Sequence, residues 1–277
     1  MPKIYSLILL LATLILLSPT LTMATAGLHI DALSYYVYDI NRDRIVIASN
    51  ERVQLPLASL TKLATAIVAL ETFEPDHLLT VSATALGTEG DSGLVLGEVW
   101  TLDSLLKFML IASSNDAATV LGEELESKTN CVMCLNKLID QLGLSESFFL
   151  NYTGLDESLS LAGGYGSARD VAKLTTRLWS LSKQTLDVTT RQELKIESET
   201  AIHKVVNTNR DVLAMLGILA SKTGTTDLAG ANLVVIIDAG IDRPVILVLL
   251  GATKEKRAKE MQKLISWTLA NIDRDEK

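Results

Sequence analysis

Three small groups of side chains in this sequence have the types and spacing to do chemistry together. The first is Ser59 and Lys62, three apart in Ala58-Ser59-Leu60-Thr61-Lys62 and followed by a run of good helix formers, Leu63 to Leu70. Pro56 disfavours helix before it, so a helix is expected to begin near Ser59. Residues three apart share a helix face, which points the serine hydroxyl and the lysine amine the same way. A serine nucleophile needs such a base within hydrogen-bond reach, and a helix N-terminus favours the negative charge that develops on attack. Alone, Ser-x-x-Lys is common, and a polar helix start with a solvated lysine explains it as well. Ser113 and Asn115 form the second group, directly after the apolar helical pattern Leu102 to Ala112, where a helix-to-helix corner would also favour Ser and Asn. The third is Lys222-Thr223-Gly224, ahead of a strand pattern, where the triplet by itself would be an ordinary strand-end turn.

Taken in order, Ser-x-x-Lys, Ser-x-Asn and Lys-Thr-Gly are the three-part signature of serine penicillin-recognising enzymes. The surrounding stretches, Ser113 to Ala118 and Ser221 to Thr226, resemble the D-alanyl-D-alanine carboxypeptidase family. So do Asn151 with Gly154-Leu155, Ser167-Ala168-Arg169-Asp170 and Asn207-Thr208-Asn209, and the likeness runs over roughly residues 30 to 272. The resemblance implies that Ser59 attacks the penultimate D-alanine carbonyl of a peptidoglycan stem peptide while Lys62 takes its proton. Ser113 would pass that proton to the leaving D-alanine, and Asn115 would hydrogen-bond the substrate amide. Lys222 would hold the terminal carboxylate by charge, with a hydrogen bond from Thr223. Gly224 would let the substrate backbone approach closely, and the amides of Ser59 and Thr225 would form an oxyanion hole. No metal or cofactor is implied. β-Lactams, which mimic the acyl-D-Ala-D-Ala backbone, are expected to acylate Ser59.

The same motifs serve a murein D,D-endopeptidase, which differs mainly in cleft shape. A class A β-lactamase would also need a deacylating glutamate, for which Glu157 lies in roughly the right region. An inert wall-binding protein is a third alternative, against which the intact Ser59/Lys62 pair speaks. The chain departs from the family where many relatives carry a histidine before the equivalent of Ser167. Here stands Gly163-Gly164-Tyr165-Gly166, expected to be a more flexible loop.

The elements that must position these groups are legible in outline. Ala32 to Ile40 and Ile45 to Ala48 read as a hairpin around the turn residues Asn41 to Arg44. The helix after Ser59 is apolar on most sides and so belongs in the centre, where burial would lower the pKa of Lys62 and suit a neutral amine base. Glu71 to Gly97 is loop-rich; Thr101 or Asp103 caps the next helix, Asp116 caps the one after, and Ser167 with Asp170 caps another. Leu194 to Val206 is strand-like in part. Ala231 to Ile237 and Val245 to Leu250 are apolar strands, and Lys254 to Ala270 is a closing helix. The expected fold is α/β (α+β), β-lactamase/transpeptidase-like. An antiparallel sheet from about 27–70 and 191–277 is flanked by helices, an all-helical region is inserted at about 71–190, and the site lies in the cleft between them.

The 277 residues are 48% hydrophobic, ample for a buried core, and the net charge of −8 without a basic cluster argues against nucleic acid as a partner. Residues 1–26 carry Lys3, an apolar run from Ile4 to Leu17 and Ala24-Thr25-Ala26, the features of a cleaved export signal. That run is short for a span, which needs about twenty residues, yet a retained N-terminal membrane anchor stays open. Either way the body of the protein is expected outside the cytoplasmic membrane, secreted or anchored. Cys131 and Cys134 read as a small local disulfide or two helix-face thiols, and the three histidines are scattered without metal-ligand spacing. Many relatives continue into a C-terminal β domain and an amphipathic helix; with Lys277 last, neither is expected here.

Overall fold

The sheet grows from two long apolar segments that bury both of their faces, 231–237 and 245–250. The computed structural model describes residues 27–129, 131–213 and 217–273, and of residues 129 and 131–133 the backbone alone. The leader and anchor readings of 1–26 lie outside the described residues. In chain order, β1 (Ser34–Asp39), β2 (Arg44–Ser49) and the two-residue β3 (Leu55–Pro56) lead through a 3-10 turn, Ala58–Thr61, into α1 (Lys62–Thr72). Then come β4 (Leu78–Thr80), β5 (Val99–Thr101), α2 (Leu102–Ala112), α3 (Asn115–Thr129) and α4 (Cys131–Leu142). They are followed by β6 (Phe148–Phe149), β7 (Gly164–Gly166), α5 (Ala168–Leu181), β8 (Glu193–Glu197) and β9 (Ile202–Val206). Finally β10 (Ile218–Thr226), β11 (Gly230–Asp238) and β12 (Pro244–Ala252) precede α6 (Arg257–Asn271).

The five-stranded sheet has the order β10-β11-β12-β1-β2 and is antiparallel throughout, so both chain ends build it. Alternation splits each central strand between two cores. Val234, Ile236, Ile246 and Val248 face the helical core around α1 and α5. Leu233, Val235, Val245 and Leu247 face Met261, Leu264 and Ile265 of α6. Register is therefore tightly fixed, because a one-residue slip would exchange the two faces. α1 is buried along Lys62 to Ala69, as its apolar surface requires. No helix among the described residues is long and apolar enough to cross a membrane.

The inserted region is not all-helical. β4 pairs with β5, and β3, β7 and β6 form a small sheet in that order. Strands of two or three residues carry no alternation to read, and tertiary closure alone makes them pair. The Gly163 to Gly166 segment is the main correction. Its residues 164–166 are the central strand of that small sheet, pairing Leu55 with Gly166 and Phe148 with Tyr165. The glycines are there for space: a Cβ on Gly163 would stand 2.2 Å from the Leu155 carbonyl oxygen, and one on Gly164 2.4 Å from the Thr61 hydroxyl. The segment is a packed strand. Cys134 is buried in the helical core, while the side chain of Cys131 lies outside the described residues.

Candidate active site

The site starts from a strained turn. Ala58 has φ of +48°, a left-handed conformation that costs a non-glycine residue about 1–2 kcal/mol, and it persists because Leu57, Ala58 and Leu60 are fully buried. Gly154, itself at φ +80°, presses on this turn so closely that a Cβ there would lie 1.9 Å from the Ala58 carbonyl oxygen. Ser59 therefore sits on the 3-10 turn closed by Leu60 N–H donating to Leu57 O at 3.2 Å, and the α-helix proper begins at Lys62. Side chains three apart are eclipsed in a 3-10 turn, which brings Lys62 Nζ to 2.9 Å from Ser59 Oγ.

Lys62 is fully buried, and its Nζ also donates to Asn115 Oδ1 at 2.7 Å and to the Thr153 carbonyl at 2.7 Å. Both of those partners can only accept. A neutral amine has two N–H donors, and these two oxygens consume them, leaving the lone pair on the remaining side, where the Ser59 hydroxyl stands and can donate to it. Desolvation, and next the charge of Lys222, holds the Lys62 pKa well below that of an ordinary lysine. Burial thus favours the neutral amine, the form that can take the Ser59 proton.

The opposite wall is built by α2, α3 and β10. Ser113 ends α2 in the left-handed conformation, φ +58°, where glycine or asparagine is usual, and this turns its side chain out of the helix. Lys222 Nζ donates to Ser113 Oγ at 2.6 Å and to the Thr223 carbonyl at 2.8 Å. Burial, and next the charge of Arg257, lowers the Lys222 pKa to about 7. A Cβ on Gly224 would stand 2.8 Å from the Leu57 carbonyl and 3.1 Å from the Ser59 amide nitrogen, so β10 passes directly beside the serine turn.

The eight residues singled out in the sequence thus come together, Lys62 on Ser59 and Asn115, Lys222 on Ser113 and Thr223, and Gly224 with Thr225 on the strand beside Ser59, with some in other arrangements than expected. Both polar ends of the Asn115 amide are engaged, Oδ1 by Lys62 and Nδ2 donating to the Glu89 carbonyl at 2.7 Å, so it offers a substrate only its second hydrogen and second lone pair. Asp116 is no helix cap. Ser114 Oγ receives the Ala117 N–H at 3.0 Å, while the buried Asp116 carboxylate receives the Ser92 hydroxyl at 2.6 Å and the Ser92 N–H at 3.2 Å. This anchors the loop that carries Glu89. Asp170 likewise receives Ser147 Oγ–H and Glu146 N–H, at 2.9 Å each, while Ser167 alone caps α5. Glu157 is exposed and receives a hydrogen bond from Asn151 at 2.5 Å.

Two neighbours were not among the residues singled out for the site. Arg257, at the start of α6, donates to Thr225 Oγ1 at 3.0 Å and brings a third cation to the cleft. In sequence it is one basic residue among Lys254, Lys256 and Lys259. Thr208 Oγ1 lies 2.7 Å from Thr223 Oγ1 and its N–H donates to Ile111 O at 3.2 Å, joining β10 to the helix that presents Ser113. The Asn207-Thr208-Asn209 stretch was visible, but its function as a clasp was not.

The profile of the peptidase S11 family, D-alanyl-D-alanine carboxypeptidase, matches residues 21–254. The chain belongs to the D-alanyl-D-alanine carboxypeptidase family. It is 30% identical over 262 residues to D-alanyl-D-alanine carboxypeptidase DacA of Escherichia coli K12, covering 89% of this chain and 62% of that protein. The chain therefore spans a little under two thirds of that relative's length. In structure it is similar to a D-alanyl-D-alanine carboxypeptidase from Mycobacterium tuberculosis H37Rv (TM-score 0.78, 22% identity, 88% of this chain and 95% of that one), a likeness that shows the fold. It is also similar to penicillin-binding protein D2 from Listeria monocytogenes in its ampicillin-bound form (TM-score 0.73, 26% identity, 87% and 98% covered). The mixed helix and sheet architecture of this carboxypeptidase family is the fold expected from the sequence. Among the described residues, no group of three or more His, Cys, Asp or Glu could hold a metal ion.

Proposed function

We propose that the protein is a serine D-Ala-D-Ala carboxypeptidase that removes the terminal D-alanine of peptidoglycan stem peptides. One observation carries the reading: the fully buried Lys62 amine, held by two acceptor oxygens, stands 2.9 Å from Ser59 Oγ. Ser59 Oγ attacks the penultimate D-alanine carbonyl as its proton passes to Lys62 Nζ, and the Ser59 and Thr225 amides receive the oxyanion. The C–N bond breaks, and the proton reaches the departing amine through Ser113. Water then hydrolyses the Ser59 ester.

Lys222, Thr223 and Arg257 supply the positive, donor-rich end for the substrate's carboxylate. A bound carboxylate raises the Lys222 pKa from about 7, so binding recruits the charge that holds it. β-Lactams would be stable acyl donors to the same serine. Glu157, exposed and committed to Asn151, gives no support to a β-lactamase reading. The protein would act on the extracytoplasmic face, exported by residues 1–26 or anchored by them.

The test pairs intact-mass analysis after penicillin treatment with assay of D-alanine released from an acyl-D-Ala-D-Ala peptide. A lasting adduct and D-alanine release, both lost in Ser59→Ala, are expected. Rapid adduct turnover would transfer the reading to β-lactamase, and absence of any adduct would overturn it.

A further inference from the structure

Between α5 and β1, three strands across the sheet from β10, lies a cavity of about 390 Å³ that the acyl-transfer site does not use. Its lining carries three cations against one carboxylate, Asp43, on a protein of net charge −8. Arg169, Lys173 and Arg177 recur every four residues along α5, a spacing at which like charges repel. Two of the three are compensated. Arg177 donates through Nε and Nη2 to Glu71, and Lys173 donates to the Gly143 carbonyl with the buried Asp170 carboxylate 4.0 Å away. Arg169 has no side-chain hydrogen bond or ion pair among the described residues.

A second donor waits beside it. Tyr36 is 4% exposed and its hydroxyl makes no hydrogen bond among the described residues. The Arg169 charge draws its phenol pKa down against the larger upward effect of burial, which puts the two groups in electrostatic reach. Tyr38 stacks on Tyr36 with ring centroids 6.2 Å apart, and its own hydroxyl is committed to Asp43. At the other end, Thr176 and Ser180 spend their hydroxyl hydrogens on the Ala172 and Arg177 carbonyls, so toward the cavity they can only accept. The cavity thus has unpaired donors at one end, acceptors at the other and an aromatic wall between. Its volume holds a sugar ring and leaves a bare ion loose.

We propose that this cavity binds an acidic saccharide, with its carboxylate or phosphate received by Arg169 and Tyr36 and its ring hydroxyls donating to Thr176 and Ser180. The wall offers two sources of this chemistry, a carboxylated amino sugar and a sugar phosphate of an anionic polymer. Calorimetric titration of the protein with N-acetylmuramic acid, glucose 1-phosphate and neutral N-acetylglucosamine distinguishes them, run with and without covalent penicillin in the Ser59 site. Saturable binding of one acidic sugar, unchanged by penicillin and at least tenfold weaker in Arg169→Gln, is expected, and the sugar that binds names the source. Tyr36→Phe, which keeps the ring in the core, should weaken it as well. Three outcomes overturn the proposal: no saturable binding in the millimolar range, equal binding of the neutral sugar, or binding that Arg169→Gln and Tyr36→Phe leave unchanged.

Discussion

Lys222 Nζ stands 2.6 Å from Ser113 Oγ, joining residues 109 apart in the chain. Each of the two motif lysines thus holds one of the two motif serines, Lys62 that of Ser59 and Lys222 that of Ser113, and each is buried. The protonation of the two lysines is coupled through this pair of pairs, because the charge on Lys222 is one of the causes that depress Lys62.

That coupling sets the pH profile. In the empty site Lys222 loses its proton near pH 7, so kcat/KM for a substrate with a free carboxylate should fall above that pH. Arg257 lowers the Lys222 pKa, and removing its charge therefore raises it. Arg257→Met should move the alkaline limb upward while raising KM. Rates measured across pH 5 to 10 check this, and an unmoved limb would separate Lys222 from that ionisation.

Buried lysines also make the site costly in stability. A lysine with a depressed folded pKa binds fewer protons folded than unfolded between its two pKa values. For Lys222 that window runs from about 7 to 10.5, so stability rises with pH across it and the penalty is complete below it. Lys62 has the same sign. Lys62→Met should abolish the penicillin adduct and remove this pH dependence, so that its Tm relative to the parent is higher at pH 6 than at pH 10. Thermal unfolding of both proteins at the two pH values is the check, and a Tm difference that does not change with pH would contradict it.

The glycines around the serine turn should differ in how their replacement can be rescued. In Gly154→Ala the new methyl meets backbone, the Ala58 carbonyl at 1.9 Å, and the positive φ adds strain. Destabilisation of more than about 3 kcal/mol with loss of acylation is expected. In Gly164→Ala the obstacle is the Thr61 side chain, whose buried hydroxyl has no partner among the described residues. Adding Thr61→Ala should restore most of the stability there but little in Gly154→Ala, where it relieves only the 2.8 Å contact with the Thr61 hydroxyl and leaves the Ala58 backbone in the way. Denaturant melts of the two double variants decide it.

Ser92 should act at a distance through Asn115. It bonds Asp116 and lies 2.7 Å from Ser114 Oγ, which holds the loop whose Glu89 carbonyl orients the Asn115 amide. Ser92→Ala is expected to slow penicillin acylation about tenfold, with a loss of only about 1 kcal/mol in stability. Comparison of the acylation rate constant with Tm separates this from general unfolding.

What the sequence determined by itself was whatever local spacing and side-chain chemistry dictate. The eight candidate residues that the fold brings together, the central helix after Ser59, the hairpin, the two apolar strands and the closing helix were legible because period-two and period-3.6 burial patterns and motif spacing are written along the chain. The tertiary structure alone decided what depends on contacts between distant segments. It placed Arg257 beside Thr225 and clasped Thr208 to Thr223. It put Asp116 on Ser92 instead of a helix end, and it made a central strand of Gly164 to Gly166, in a stretch that read as a more flexible loop. The physical reason is common to all four. A glycine chosen for close packing looks in sequence like one chosen for flexibility, and a buried carboxylate looks like a cap, until the partner that fills the space or takes the hydrogen bond has been brought in from elsewhere in the chain.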